Sequence, residues 1–181
     1  MASKHNSVQW RCLAAIIAAM VLAGTARAQQ PTAQGTINAT FIFQSGIALV
    51  FDSAPSGVQL SANGTSSATL NFGTIGAFLT PPAGVTQTNT SNDFTVSSPF
   101  DVRVDIGGSN STSYTLTASL ASGGLTYKID NNTVPVAPST LRVTTTGSYA
   151  TNVQHTLSLT ILNTTPAGAV GTTINFTATA N

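Results

Sequence analysis

Few side chains in this sequence can do acid–base or metal chemistry. Of 181 residues, five are acidic, all aspartate (Asp52, Asp93, Asp101, Asp105 and Asp130), and only His5 and His155 carry imidazole. General acid–base catalysis needs such groups held close together. A Ser–His–Asp triad here would have to use His155 with an aspartate and one of many serines, and no strand–turn–helix nucleophile elbow is present. His155 shares the parity of Leu157 and Leu159 and reads as a strand residue near the end of a sheet. No catalytic residue is assigned, and the chain reads as a non-enzyme.

Metal and cofactor chemistry is equally thin. Zinc sites gather Cys and His, and no such cluster exists. Asp130-Asn131-Asn132 offers oxygen ligands, but its spacing is not that of a calcium loop and it reads as a turn. No metal and no cofactor is expected. Asp101, Arg103 and Asp105 alternate along one strand face and read as a solvated ion-pair ladder, worth about 1 kcal/mol or less per exposed pair.

The elements that carry these residues are strands. The sequence holds no glutamate and is rich in Thr, Ser, Val and Gly, a composition suited to pleated sheet rather than helix. Apolar residues alternate with polar ones in Phe100–Ile106 and in Ser113–Leu120, where Tyr114, Leu116, Ala118 and Leu120 share a side. The pattern continues through Leu125, Tyr127 and Ile129, then Leu141 and Val143, then Leu157, Leu159 and Ile161, and closes with Ile174, Phe176, Ala178 and Ala180. Such alternation predicts antiparallel strands with one buried and one wet face. Turn residues separate them at Gly107–Asn110, Ser122–Gly124, Asp130–Asn132 and Pro166–Gly168. The segment Gly76–Asn92, with Pro81-Pro82, reads as a long connection at a sheet edge or between sheets. The prediction is an all-β fold, one antiparallel sandwich of about nine or ten strands.

Residues 1–28 read as a cleavable signal peptide. Lys4, His5 and Arg11 precede an apolar run from Leu13 to Ala23, and Ala26-Arg27-Ala28 supplies an A-x-A site with cleavage between Ala28 and Gln29. The run is shorter than the roughly 20 residues that span a bilayer. Cys12 lacks the small-residue surroundings of a lipid-attachment cysteine. The predicted mature chain, 29–181, then has no sulfur, no Trp, and five aspartates against Arg103, Lys128 and Arg142. That balance removes a basic surface for nucleic acid or anionic lipid. A periplasmic, cell-surface or extracellular location is expected, with no membrane span after the signal.

Two stretches carry a family resemblance. Gly35–Phe41, followed by Leu70-Asn71-Phe72-Gly73-Thr74-Ile75, resembles the opening of spore-coat-U-type proteins and the related archaic chaperone–usher pilins. Ser113–Leu120, Leu125–Ile129, His155–Ile161 with Pro166-Ala167-Gly168, and the final strand resemble the second half of the same family. The resemblance implies an immunoglobulin-like, pilin-like sandwich that lacks a strand and is completed by the N-terminal extension of another subunit. Partners would be copies of the chain itself and a periplasmic chaperone and usher. The family's early disulfide has no counterpart after Ala28, so packing alone has to supply the roughly 2–4 kcal/mol a disulfide contributes.

Within that frame Ile37, Ala39, Phe41 and Phe43 alternate as a donated strand would, within a segment 29–43. The same alternation fits an ordinary first strand of the domain's own sheet, and both readings stand at this level. Ile174, Phe176 and Ala178 form a C-terminal strand that either pairs with a chaperone or closes the sandwich. The expected function is an extracellular structural protein, a pilin- or coat-like subunit assembling by strand complementation. The alternative is a stand-alone secreted adhesin or glycan-binding module. Such modules stack aromatics on sugars; Tyr114 and Tyr127 fall on core-facing parities, which leaves Tyr149 as the free candidate.

Overall fold

Alternating sequences of this kind bury one face only when a second sheet covers it, and the computed structural model has that form. It describes Thr40 and residues 46–181. The strands are β1 (Gly46–Ser53), β2 (Thr86–Asn89), β3 (Asp93–Gly107), β4 (Tyr114–Leu120), β5 (Thr126–Ile129), β6 (Asn132–Thr133), β7 (Leu141–Gly147), β8 (Val153–Leu162) and β9 (Ile174–Ala180). The described residues contain no helix. The predicted signal, the Ala28–Gln29 cleavage site and Ile37, Ala39, Phe41 and Phe43 lie outside the described residues.

Six strands make one sheet, in the order β1-β3-β8-β5-β6 with β2 also on β3, and β7-β4-β9 make the other; every strand pair is antiparallel. Strict alternation in sequence becomes strict alternation in burial. In β3, Phe94, Val96, Ser98, Phe100, Val102 and Val104 are all buried. In β4, Tyr114, Leu116, Ala118 and Leu120 are buried, with Thr115, Thr117 and Ser119 outward. The two inner faces meet in two apolar clusters, one around Val96, Leu120, Ile129 and Leu159 and one around Phe100, Val102, Tyr114 and Leu116.

β3 starts seven residues before the alternating run that begins at Phe100, and passes through Pro99. A proline removes a ladder hydrogen bond, so it belongs where no partner strand needs its N–H. β1 pairs with Phe100–Gly107 and β2 with Phe94–Ser97, which leaves Ser98 and Pro99 opposite a gap in that edge. The backbone N–H of Val58 fills it by donating to Ser98 Oγ at 2.9 Å. β2 itself corrects the reading of Gly76–Asn92 as a connection only. Its polar Thr-Gln-Thr-Asn carries no apolar alternation, and it pairs as a short edge strand.

Asp130-Asn131 is the turn its composition predicts. Ile129 pairs with Asn132, and both intervening residues have positive φ, 49° and 67°, as a two-residue type I′ hairpin requires.

An open cleft between the sheets as the candidate functional site

β9 is the least buried of the long inner-facing strands. Ile174, Phe176 and Ala178 point inward, yet each is only half-buried, whereas the matching residues of β4 are fully covered. The reason is positional. Among the described residues β9 pairs only with β4, and no described strand lies on its other edge.

Beside β9 lies a cleft with two chambers. The upper one, about 470 Å³, lies between Leu49 and Phe51 of β1, the segment Ser66–Leu70, and Thr172–Phe176. Its aromatic wall packs edge to face: Phe176 meets Phe51 at 5.1 Å between ring centres and Phe100 at 6.1 Å. The lower chamber, about 920 Å³, is walled by Thr69–Phe78 and Thr165–Thr172 and reaches Phe94, Tyr127, Leu159 and Ile161. Thr69, Leu70, Leu157, Thr172 and Ile174 line both, so the chambers adjoin at the start of β9. A cleft of mixed apolar and polar lining beside a strand edge unpaired among the described residues can offer ladder hydrogen bonds to an incoming strand and room for alternate side chains.

The wall residues come from segments that sequence patterning reads poorly. β1 is apolar at five successive positions, Ile47 to Phe51, and so gives no alternation signal. Residues 54–85 form no named strand. They are held instead by isolated pairings, Phe51 with Thr65 and Ser61 with Thr69, and by Asn63 Oδ1 accepting from the Ser53 N–H. Here Leu70, Phe72, Ile75 and Ala77 form half-covered apolar wall.

The other candidate groups have local partners. His155 is buried, and its Nδ1–H donates to Asp130 Oδ2 at 2.6 Å, while Asp130 Oδ1 accepts from the Thr156 N–H at 2.8 Å. That carboxylate fixes the imidazole as a triad aspartate would. The Nε2 atom, which would receive a nucleophile's proton, is buried without a hydrogen-bonding partner. Arg103 donates to Asp105 at 3.1 Å and lies 3.9 Å from Asp52; the described ion pairs do not include Asp101, which stands directly opposite Asp52. Among the described residues no group of three or more His, Cys, Asp or Glu side chains converges, and no helix is long and apolar enough to cross a membrane.

The expectation that Tyr149 is free is corrected. Its hydroxyl donates to the Ser113 carbonyl at 2.7 Å and bonds Ser111 Oγ at 2.8 Å, and its ring lies 5.5 Å from that of Tyr114. A ring tied down at its hydroxyl and packed on one side is a poor sugar platform. Tyr114 and Tyr127 are buried, as their parities predict. Comparison with protein-family models, with curated proteins and with solved structures returns no match.

Proposed function

We propose that this chain is a structural subunit of an extracellular assembly, in which the cleft of one copy receives residues 29–43 of another as an added strand. The observation that carries the reading is the half-buried apolar face of β9 along an edge unpaired among the described residues, beside the two-chambered cleft. The inner faces of β3 (Phe94 to Val104) and of β4 are buried, and the contrast with β9 supports this reading.

The fit in length supports the same reading. β9 is seven residues long, and Ile37 to Phe43 is a seven-residue run with Ile37, Ala39, Phe41 and Phe43 on one face. Laid along β9, those four side chains would meet Phe51, Leu70, Leu157 and Phe176, while their backbone completes the ladder. The same edge, through Ile174, Phe176 and Ala178, would serve a periplasmic chaperone that holds the subunit until a second copy replaces it. Export through the 1–28 signal is part of this proposal, because assembly outside the cell needs it. The fold so completed would be immunoglobulin-like in the pilin manner.

Deleting residues 29–43 tests the reading. The exported variant should stay monomeric and bind a peptide of sequence 29–43, whereas the parent forms polymers visible by electron microscopy and as ladders on unboiled gels. A parent that remains a monomer with the same stability as the deletion variant, and that ignores the peptide, would end this reading.

A further inference from the structure

One end of the sandwich carries an apolar tip that the fold holds out into solvent. In the turn Gly76–Leu79, the Leu79 N–H donates to the Gly76 carbonyl at 3.0 Å. Gln87 Nε2 reaches that same carbonyl at 3.1 Å and Asn89 Oδ1 at 2.8 Å, and Asn89 Nδ2 donates to the Ala77 carbonyl at 2.6 Å. The turn backbone is thus tied to β2, while Phe78 is 99% exposed and Leu79 52%. Leu162 and Val170, also exposed, line the lower chamber together with Phe78. A fixed turn that presents a bare phenyl ring beside other exposed apolar groups has the character of a contact surface.

The direction of the strands says what it meets. β9 starts at Ile174, opposite Leu120 and beside the lower chamber, and ends at Ala180, opposite Tyr114. β1 starts at the other end of the molecule from Phe78, where Gly46 pairs with Gly107. A donated strand antiparallel to β9, the slightly more stable pairing, would bring its residue 43 to the Ile174 end. Phe43 lies three residues before Gly46, a reach of about 10 Å at most. The donor's β1 must therefore begin close to the acceptor's Phe78 end. The donor's own exposed apolar residue there is Ile47, 40% exposed and paired with Ile106.

We propose that the Phe78 tip is the acceptor's half of a second contact between consecutive copies, seated on the donor's end around Ile47. This rests on the strand-donation reading above. The contact is heterologous, a patch on one end meeting a different patch on the other, and therefore propagates along a filament.

The test uses the full chain carrying Cys12→Ser, so that two introduced thiols are its only cysteines. Phe78→Cys with Ile47→Cys, treated with a short bis-maleimide, should give a covalent ladder on denaturing gels that disappears when residues 29–43 are deleted. Phe78→Ser should weaken assembly by roughly tenfold or more, the loss expected for a buried aromatic anchor, and by more than it weakens binding of the 29–43 peptide. Ile47→Ser, outside the cleft lining, should weaken assembly while the peptide binds as it binds the parent. Assembly of Phe78→Ser equal to the parent, or a ladder that is missing or survives the deletion, would overturn the contact and leave strand donation standing. Failure of the parent both to assemble and to bind the peptide would overturn the two together.

Discussion

Tyr114 sits at the crowded end of the core, fully buried, with its ring against Gly147 so closely that a methyl group there would collide with it. Gly147→Ala should therefore cost about 2 kcal/mol or more in denaturant unfolding, as overpacked sites do. The Tyr114 hydroxyl has no hydrogen-bonding partner. Tyr114→Phe removes a desolvated polar group without leaving a void, and should change stability at neutral pH by no more than about 1 kcal/mol. Burial, and secondarily the neighbouring Tyr149, raises the Tyr114 pKa above its usual 10.0, and burial raises that of Tyr127. In the unfolded chain the phenols lose their protons first, so their contribution to stability is intact below pH 10 and falls as pH rises above it. Urea midpoints at pH 7 and at about pH 11 should show a smaller alkaline loss for Tyr114→Phe than for the parent; an equal loss would remove Tyr114 from the explanation.

At the scale of elements, the hairpin between β5 and β6 depends on two residues with positive φ. Asn131→Ala should cost about 1–2 kcal/mol because alanine enters that region less readily than asparagine, and Asn131→Gly should cost nothing or stabilise. Thermal melts of the two variants decide it, since a requirement for the Asn side chain would make both destabilising. Asp130 does more than turn the chain, because its carboxylate holds both His155 and the Thr156 N–H. On β9, Phe176 is half-buried and meets Phe51 and Phe100 edge to face. Phe176→Ala should cost about 2 kcal/mol, less than a fully enclosed phenylalanine. It should also weaken binding of the 29–43 peptide by more than its loss of stability explains, measurable by titration well below the unfolding transition.

For the molecule as a whole, the proposed strand donation would be driven by apolar burial and backbone hydrogen bonds rather than by charge. The region after Ala28 carries five aspartates and three basic residues, and its described ion pairs are surface or local ones. Assembly should then persist from low salt to about 1 M, where surface charge interactions are screened. Dissociation of polymers on adding salt would point to an electrostatic contact instead.

The sequence by itself determined the strands with one wet face, because a period of two is written locally: the buried residues of β3 from Phe100 on, though not Phe94, Val96 and Ser98 before it, and all those of β4 follow from alternation. It also determined a turn at Asp130-Asn131-Asn132, whose residue types tolerate positive φ, while its type I′ form is seen only in the structure. Tertiary structure alone decided the passage of β3 through Pro99, since only the neighbouring strands show that no ladder bond is lost there. It alone decided that Tyr149 is pinned and Phe78 bare, because exposure depends on distant partners such as Ser113 and Gln87. The cleft belongs to the same class. Ile174, Phe176 and Ala178 alternate like any core strand, and their half-buried state depends on which edges the described strands cover, a property of the packed sheets and not of the strand.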